Sequence, residues 1–258
     1  MRKKTKRAIA LLACSVMLSS SFISACKKEE IGASEIELWS TYNTQKIKKD
    51  QHDYDAVKLD AKIDLTMAQG EYEGAQIIIT PEEDVDYYNV SISDLTNVET
   101  GETYGKDRVE IYKQEYIYIS TAYKNADGET PGFYPDALIP MESIVEFEEN
   151  KISAGDNQGI YFRFSTRPEL DENGVAVIKD ETATEDSKRY SYVPFGTYTG
   201  TITIDFGSEK REVPVTLNIV DAMVSETTHS KTHFGTWWFT GLPASMNWSQ
   251  EGIEQLNN

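Results

Sequence analysis

The chain has 258 residues and carries 25 Lys+Arg against 43 Asp+Glu, a formal net charge of −18. A surface of that sign repels nucleic acid and anionic lipid headgroups, so polyanion partners are excluded. Two cysteines exclude a disulfide-knit scaffold, and the length accommodates one large domain with a remainder.

Residues 1–25 read as an export signal. Arg2, Lys3, Lys4, Lys6 and Arg7 form a basic head, an apolar run from Ala8 to Ile23 follows, and small residues Ser24 and Ala25 precede Cys26. A permanent transmembrane helix is the competing reading, but the run is shorter and more polar than the ~20 apolar residues a spanning helix needs. Ile23-Ser24-Ala25-Cys26 resembles the lipobox of bacterial lipoprotein precursors. The resemblance implies cleavage before Cys26, covalent lipid on that residue, and an extracytoplasmic protein held at the cell membrane. Cys14 leaves with the signal, so the mature chain keeps one thiol and can form no internal disulfide. Removing the five basic signal residues leaves 20 Lys+Arg against 43 Asp+Glu, a net charge of −23.

Residues 26–34 are short, charged and aperiodic, and read as a tether. From residue 35 the pattern is that of an all-β domain. Glu35 to Trp39 alternates into a first strand. Tyr42 to Asp55 is polar and irregular, with Lys46, Lys48 and Lys49 read as a solvated face. Gln69 to Pro81 places Ala75, Ile77 and Ile79 on one face with Gln76 and Ile78 on the other, which predicts a strand covered on both sides. Asn89 to Leu95, Arg108 to Ser120 and Gln158 to Ser165 continue the series at strand spacing.

Two stretches interrupt it. Tyr123 to Pro140 reads as a long connection, with three prolines and two glycines; Arg167 to Pro194 reads as an acidic insert folded into a small hairpin. The strongest signal is Gly196 to Asp221. Ile202, Ile204 and Phe206, then Val213, Val215, Leu217 and Ile219, occupy alternate positions on either side of the turn Gly207-Ser208-Glu209-Lys210. Period-two alternation on both arms predicts an antiparallel hairpin with one face in a core. Residues 35–222 are therefore expected to form an antiparallel β-sandwich. Residues 223–258 change composition: an aromatic run at His229 to Thr240 is followed by a capped helical start at Ser249. This is expected to be a linker and the first βα unit of a second, truncated domain.

Four pieces in order resemble the N-terminal part of glycoside hydrolase family 123 proteins and of a related uncharacterised bacterial lipoprotein family. They are Gly70-Glu71-Tyr72-Glu73-Gly74-Ala75-Gln76, Tyr134 through Pro140, Gly196-Thr197-Tyr198-Thr199-Gly200, and Lys231-Thr232-His233-Phe234-Gly235. The resemblance implies a β-sandwich followed by a (β/α)8 barrel that hydrolyses N-acetylgalactosaminides with help from the substrate's acetamido group. The family's adjacent Asp–Glu pair belongs to the barrel, so no position here receives it. The implied partners are the chain's own C-terminal barrel and, through it, a glycan; no cofactor is implied.

Individual residues carry less. Asp84/Asp86 and Glu181/Glu185 are chance carboxylate pairs in polar loops, without an apolar pocket to raise one pKa. The spacing of His52, His229 and His233 suggests neither a catalytic relay nor a zinc site. Asp171-Glu172-Asn173-Gly174 lacks the ligand spacing of a calcium loop. No metal is expected. His233, Trp237 and Trp238 stand where a first barrel strand would end, and read either as substrate contacts or as interdomain packing. Asp136 reads as a ligand contact or as an Asp bonded to its own turn. Glu71, Glu73 and Gln76 read as a polar site or a hydrogen-bonded strand. The alternative for the whole domain is a stand-alone carbohydrate-binding or adhesive sandwich, with Tyr116, Tyr118, Phe133 and Tyr134 as a stacking platform.

Overall fold

The hairpin at 196–223 is the longest pairing in the structure, a computed structural model that describes residues 36–120 and 130–224. Strand β10 (Gly196–Asp205) pairs antiparallel with β11 (Lys210–Met223) from Gly196↔Ile219 to Asp205↔Lys210. Ile202, Ile204, Val213, Val215, Leu217 and Ile219 are all buried, as their alternation predicts.

Around it lie β1 (Ile36–Thr41), β2 (Ile63–Gln69), β3 (Tyr72–Pro81), β4 (Asn89–Ile92), β5 (Leu95–Asn97), β6 (Thr103–Tyr104), β7 (Val109–Ile119), β8 (Gly132–Pro140) and β9 (Gln158–Ser165). Among the described residues there are also two short α-helices, α1 (Met141–Glu146) and α2 (Asp186–Arg189), and a 3-10 turn at Lys106–Arg108. One sheet has the order β1-β3-β9-β7-β8; the other runs β2-β11-β10-β5-β6, with β4 also on β10. Ile77, Ile79, Ile160, Phe162 and Phe164 from the first sheet meet Ile63, Met67, Tyr198, Ile202, Val213, Val215 and Leu217 from the second in one core. The chain divides into Met1–Val224 and Ser225–Asn258, and the second unit lies outside the described residues.

Three features differ from the sequence reading. Strand β2 was not expected, and it pairs with β11 in parallel, from Ile63↔Val215 to Ile219↔Met67, so the second sheet is mixed. Residues 132–140 are not connection but strand β8, paired only with β7 at the sheet's edge. An edge position explains why Pro135 and Pro140 are tolerated, since one side of such a strand owes no hydrogen bonds. Lys48 is not solvated. It is 8% exposed, and its Nζ donates to the Thr130 Oγ1 at 2.6 Å and lies 4.6 Å from the centre of the Tyr134 ring.

Strand β3 is covered on both faces, as expected. Residues 42–58 close its outer side, where Trp39, Ile47, Tyr54 and Ile78 form a second cluster. Buried amides pin this cover. Gln76 Nε2 donates to the Tyr42 and Gln45 carbonyls at 2.6 and 2.8 Å, and Asn157 Nδ2 to those of Lys48 and Gln51 at 3.0 and 2.7 Å. The irregular segment thereby satisfies carbonyls that no strand partner serves. The Gly70-Glu71 corner between β2 and β3 is similarly tied. Gly70 has φ +84°, and a Cβ there would meet the Val224 carbonyl oxygen. Glu71 accepts from Ala68 N at 2.6 Å, and Thr166 N donates to the Glu71 carbonyl at 3.0 Å.

In the insert, isolated bridges Leu170↔Ala176 and Ile178↔Tyr190 join its short arms, which agrees with a small hairpin-like projection.

Candidate functional site: the β7–β8 ribbon

Strand β7 outruns its sheet. Val109 to Lys113 pair with β9, whereas the rest of β7 pairs with β8 alone as far as Ile119↔Gly132. The outcome is a two-stranded ribbon whose faces are set by alternation. Tyr116 and Tyr118 share one face with Phe133, and Ile117 and Ile119 share the other with Tyr134.

The register jumps between Glu115↔Ala137 and Tyr116↔Pro135, which leaves Asp136 as the extra residue of a β-bulge. Asp136 is exposed, and among the described residues its carboxylate has no hydrogen-bond partner. It therefore does not close a turn of its own.

The four aromatics do not form one strip. Tyr118 and Phe133 are 59% and 38% exposed, with ring centroids 5.0 Å apart. Tyr134 is 6% exposed, donates its hydroxyl to the Thr130 carbonyl at 2.6 Å and packs under Lys48. Tyr116 is half-buried, and its hydroxyl accepts from Gly159 N at 3.0 Å. Burial pushes the Tyr116 phenol above the ordinary tyrosine range, and the Gly159 N–H opposes that shift without cancelling it.

Beside the exposed pair is a cleft of about 130 Å³ lined by Lys49, Lys113, Glu115, Tyr116, Phe133 and Asp156. Four of its charges are held in pairs, Lys49 with Asp156 at 3.0 Å and Lys113 with Glu115 at 3.1 Å, and Lys151 adds a fifth. Lys49 also donates its backbone N–H to the Phe133 carbonyl at 3.1 Å, which fixes the cleft wall to the ribbon. Sequence reasoning named Tyr116 and Phe133 as aromatics and Lys49 as a solvated lysine, and missed that they meet Lys113, Glu115 and Asp156 in one cleft. They come from four segments far apart in the chain, and only Tyr116 and Phe133 had a local signal.

The other nominated residues have structural work or lie elsewhere. Asp84 accepts from Ala154 N at 2.8 Å, and Glu185 pairs with Lys188 at 2.8 Å. Asp171 accepts from the backbone N–H groups of Asn173 and Val175, which hold its carboxyl below the usual range and close a tight turn. Glu110 is held low by the side chain of Arg163, which donates to it, with Tyr112 adding a second bond. Among the described residues, the carboxyls that the fold displaces, Glu110, Asp171, Asp180 and Asp205, all move downward. A general acid for glycoside cleavage needs the opposite displacement. Cys26, His233, Trp237 and Trp238 lie outside the described residues.

No family model and no curated protein matches the chain. Among solved structures, it is similar to a family 123 glycoside hydrolase from Clostridium perfringens, studied for glycolipid glycan hydrolysis, with a TM-score of 0.48 and 13% identity. The alignment takes in 74% of this chain and 28% of that one.

Proposed function

We propose that this sandwich is the N-terminal accessory module of a lipid-anchored, surface-exposed glycoside hydrolase acting on N-acetylhexosamine-containing glycans. Bond cleavage then belongs to a C-terminal (β/α)8 barrel. Cys26 carries the lipid, and His233, Trp237 and Trp238 contact substrate or pack between the domains. Asp136, exposed at its bulge, is available to the same interdomain or glycan contact.

The observation that carries this reading is what the resembling pieces do. Glu71 ties the β2–β3 corner, Gln76 pins the cover over β3, Tyr134 supports Lys48, and the Tyr198 hydroxyl donates to the Pro194 carbonyl at 2.8 Å. Each preserves a scaffold, and the displaced carboxyls of the sandwich are strengthened as anions rather than as acids. That division of labour supports an accessory role.

The experiment is to read the natural coding sequence downstream of Asn258. Several hundred codons with alternating strand and helix periodicity are expected; a stop codon directly after Asn258 would remove the barrel and the hydrolase with it.

A further inference from the structure

We infer that the sandwich itself holds a glycan, with a pyranose ring seated in the angle between Tyr118 and Phe133 and its edge hydroxyls on the Lys49–Asp156 pair. The two rings are exposed, 5.0 Å between centroids and tilted 55° to one another, so they form an open V at the mouth of the cleft that Phe133 also lines, with one ring for a sugar face and the other for its edge. A sugar presents C–H groups on its face and hydroxyls around its rim. It is matched by an aromatic surface next to fixed donors and acceptors.

Those donors and acceptors are present and held in place. Lys49 Nζ is 3.0 Å from Asp156 Oδ2, so an ammonium donor and a carboxylate acceptor stand side by side, the arrangement that vicinal hydroxyls can bridge. Lys49 also lies 5.9 Å from the centre of the Phe133 ring, which places the polar pair against the platform. At about 130 Å³ the cleft is below the size that encloses a whole ligand, so the ring rests outside on the aromatics and only a substituent enters.

A protein partner fits less well. Ile117 and Ile119 face the other way, and the apolar area on this face, the two rings with half-buried Tyr116 and Pro135, is small and has charged surroundings.

The inference rests on the proposed function only for the ligand class. Calorimetric titration of the full chain uses three soluble oligosaccharide probes: an N-acetylhexosamine oligomer, a neutral hexose oligomer and a uronic acid oligomer. At least one is expected to bind. Tyr118→Ala and Phe133→Ala should each weaken that binding about tenfold, equivalent to ~1.4 kcal/mol, while Tyr118→Trp retains it and Asp156→Asn weakens it. Tyr118 is 59% and Phe133 38% exposed, so Tyr118→Ala should unfold thermally with the parent while Phe133→Ala loses some packing; titrating both well below their unfolding temperatures separates lost binding from lost folding. Binding by none of the probes overturns the inference, as does binding that both alanine variants leave unchanged. Self-association abolished by these variants, without sugar binding, would assign the rings to a second copy of the chain and overturn it as well. Sugar binding by a chain whose gene encodes no barrel would sink the hydrolase reading and leave this one standing.

Discussion

Tyr104→Phe and Tyr88→Phe remove the same atom from two fully buried tyrosines, and the structure predicts opposite outcomes. The Tyr104 hydroxyl, on the short strand β6, accepts from Ser165 N at 3.0 Å and donates to the Ser165 or Arg108 carbonyl at 3.0 or 3.2 Å. It thereby ties the second sheet to the end of β9 in the first. Losing it breaks these bonds and leaves a Ser165 N–H without its partner. A lost bond costs ~0.5–1.5 kcal/mol and a stranded buried group ~1–3 kcal/mol, so a net loss of about 2 kcal/mol is expected. The Tyr88 hydroxyl is buried without a hydrogen-bond partner among the described residues. Removing an uncompensated buried polar atom should leave stability within ~0.5 kcal/mol or raise it. Urea unfolding of the two variants, read as a midpoint shift at constant m-value, measures both. A Tyr104→Phe variant as stable as the parent, or a Tyr88→Phe variant that loses more than ~1 kcal/mol, would refute the reasoning.

The remaining expectations concern charge and anchoring. Burial raises the Tyr88 and Tyr104 phenols above the ordinary range, so the unfolded chain ionises first on the alkaline side. Their contribution is fully present below pH ~10 and falls by ~1.4 kcal/mol per pH unit for each above it, so phenolate absorbance should rise together with loss of near-ultraviolet circular dichroism. Glu110 is the reverse case: Arg163 lowers its folded pKa, so its stabilisation is present above the ordinary carboxylate value and lost as pH falls through the depressed one. Because both side chains are nearly half exposed, Glu110→Gln should cost only a few tenths of a kcal/mol at neutral pH and flatten the acid limb of the stability curve. Cys26→Ala should move the protein from the membrane pellet to the soluble extracytoplasmic fraction; retention in the pellet would overturn the lipid anchor.

Much of the scaffold was legible because alternation is a local property. The hairpin around Gly207, the doubly covered β3 and the Ile160-Phe162-Phe164 face of β9 could all be read within ten residues. Strand β2 carried the same signal in Ile63, Leu65 and Met67 and was missed. Its parallel pairing with β11, some 150 residues away, has no local trace. Strand β8 was hidden by its prolines, which an edge permits but a sequence pattern counts against strands. Lys48 looked solvated because its partners, Thr130 and Tyr134, are more than 80 residues distant. The exposed Tyr118–Phe133 pair was half legible. Residue type nominated Tyr116, Tyr118, Phe133 and Tyr134, but only register shows that Tyr134 faces away from Phe133 and that Asp136 is the bulge between Pro135 and Ala137.

The proposed division between a supporting sandwich and a cleaving barrel is tested most directly by hydrolysis of an aryl N-acetylgalactosaminide. Residues 26–258 and a polypeptide extended by the proposed barrel would be assayed side by side. The account predicts release of the aryl group by the longer protein and none by the shorter. Turnover by residues 26–258 alone would contradict it.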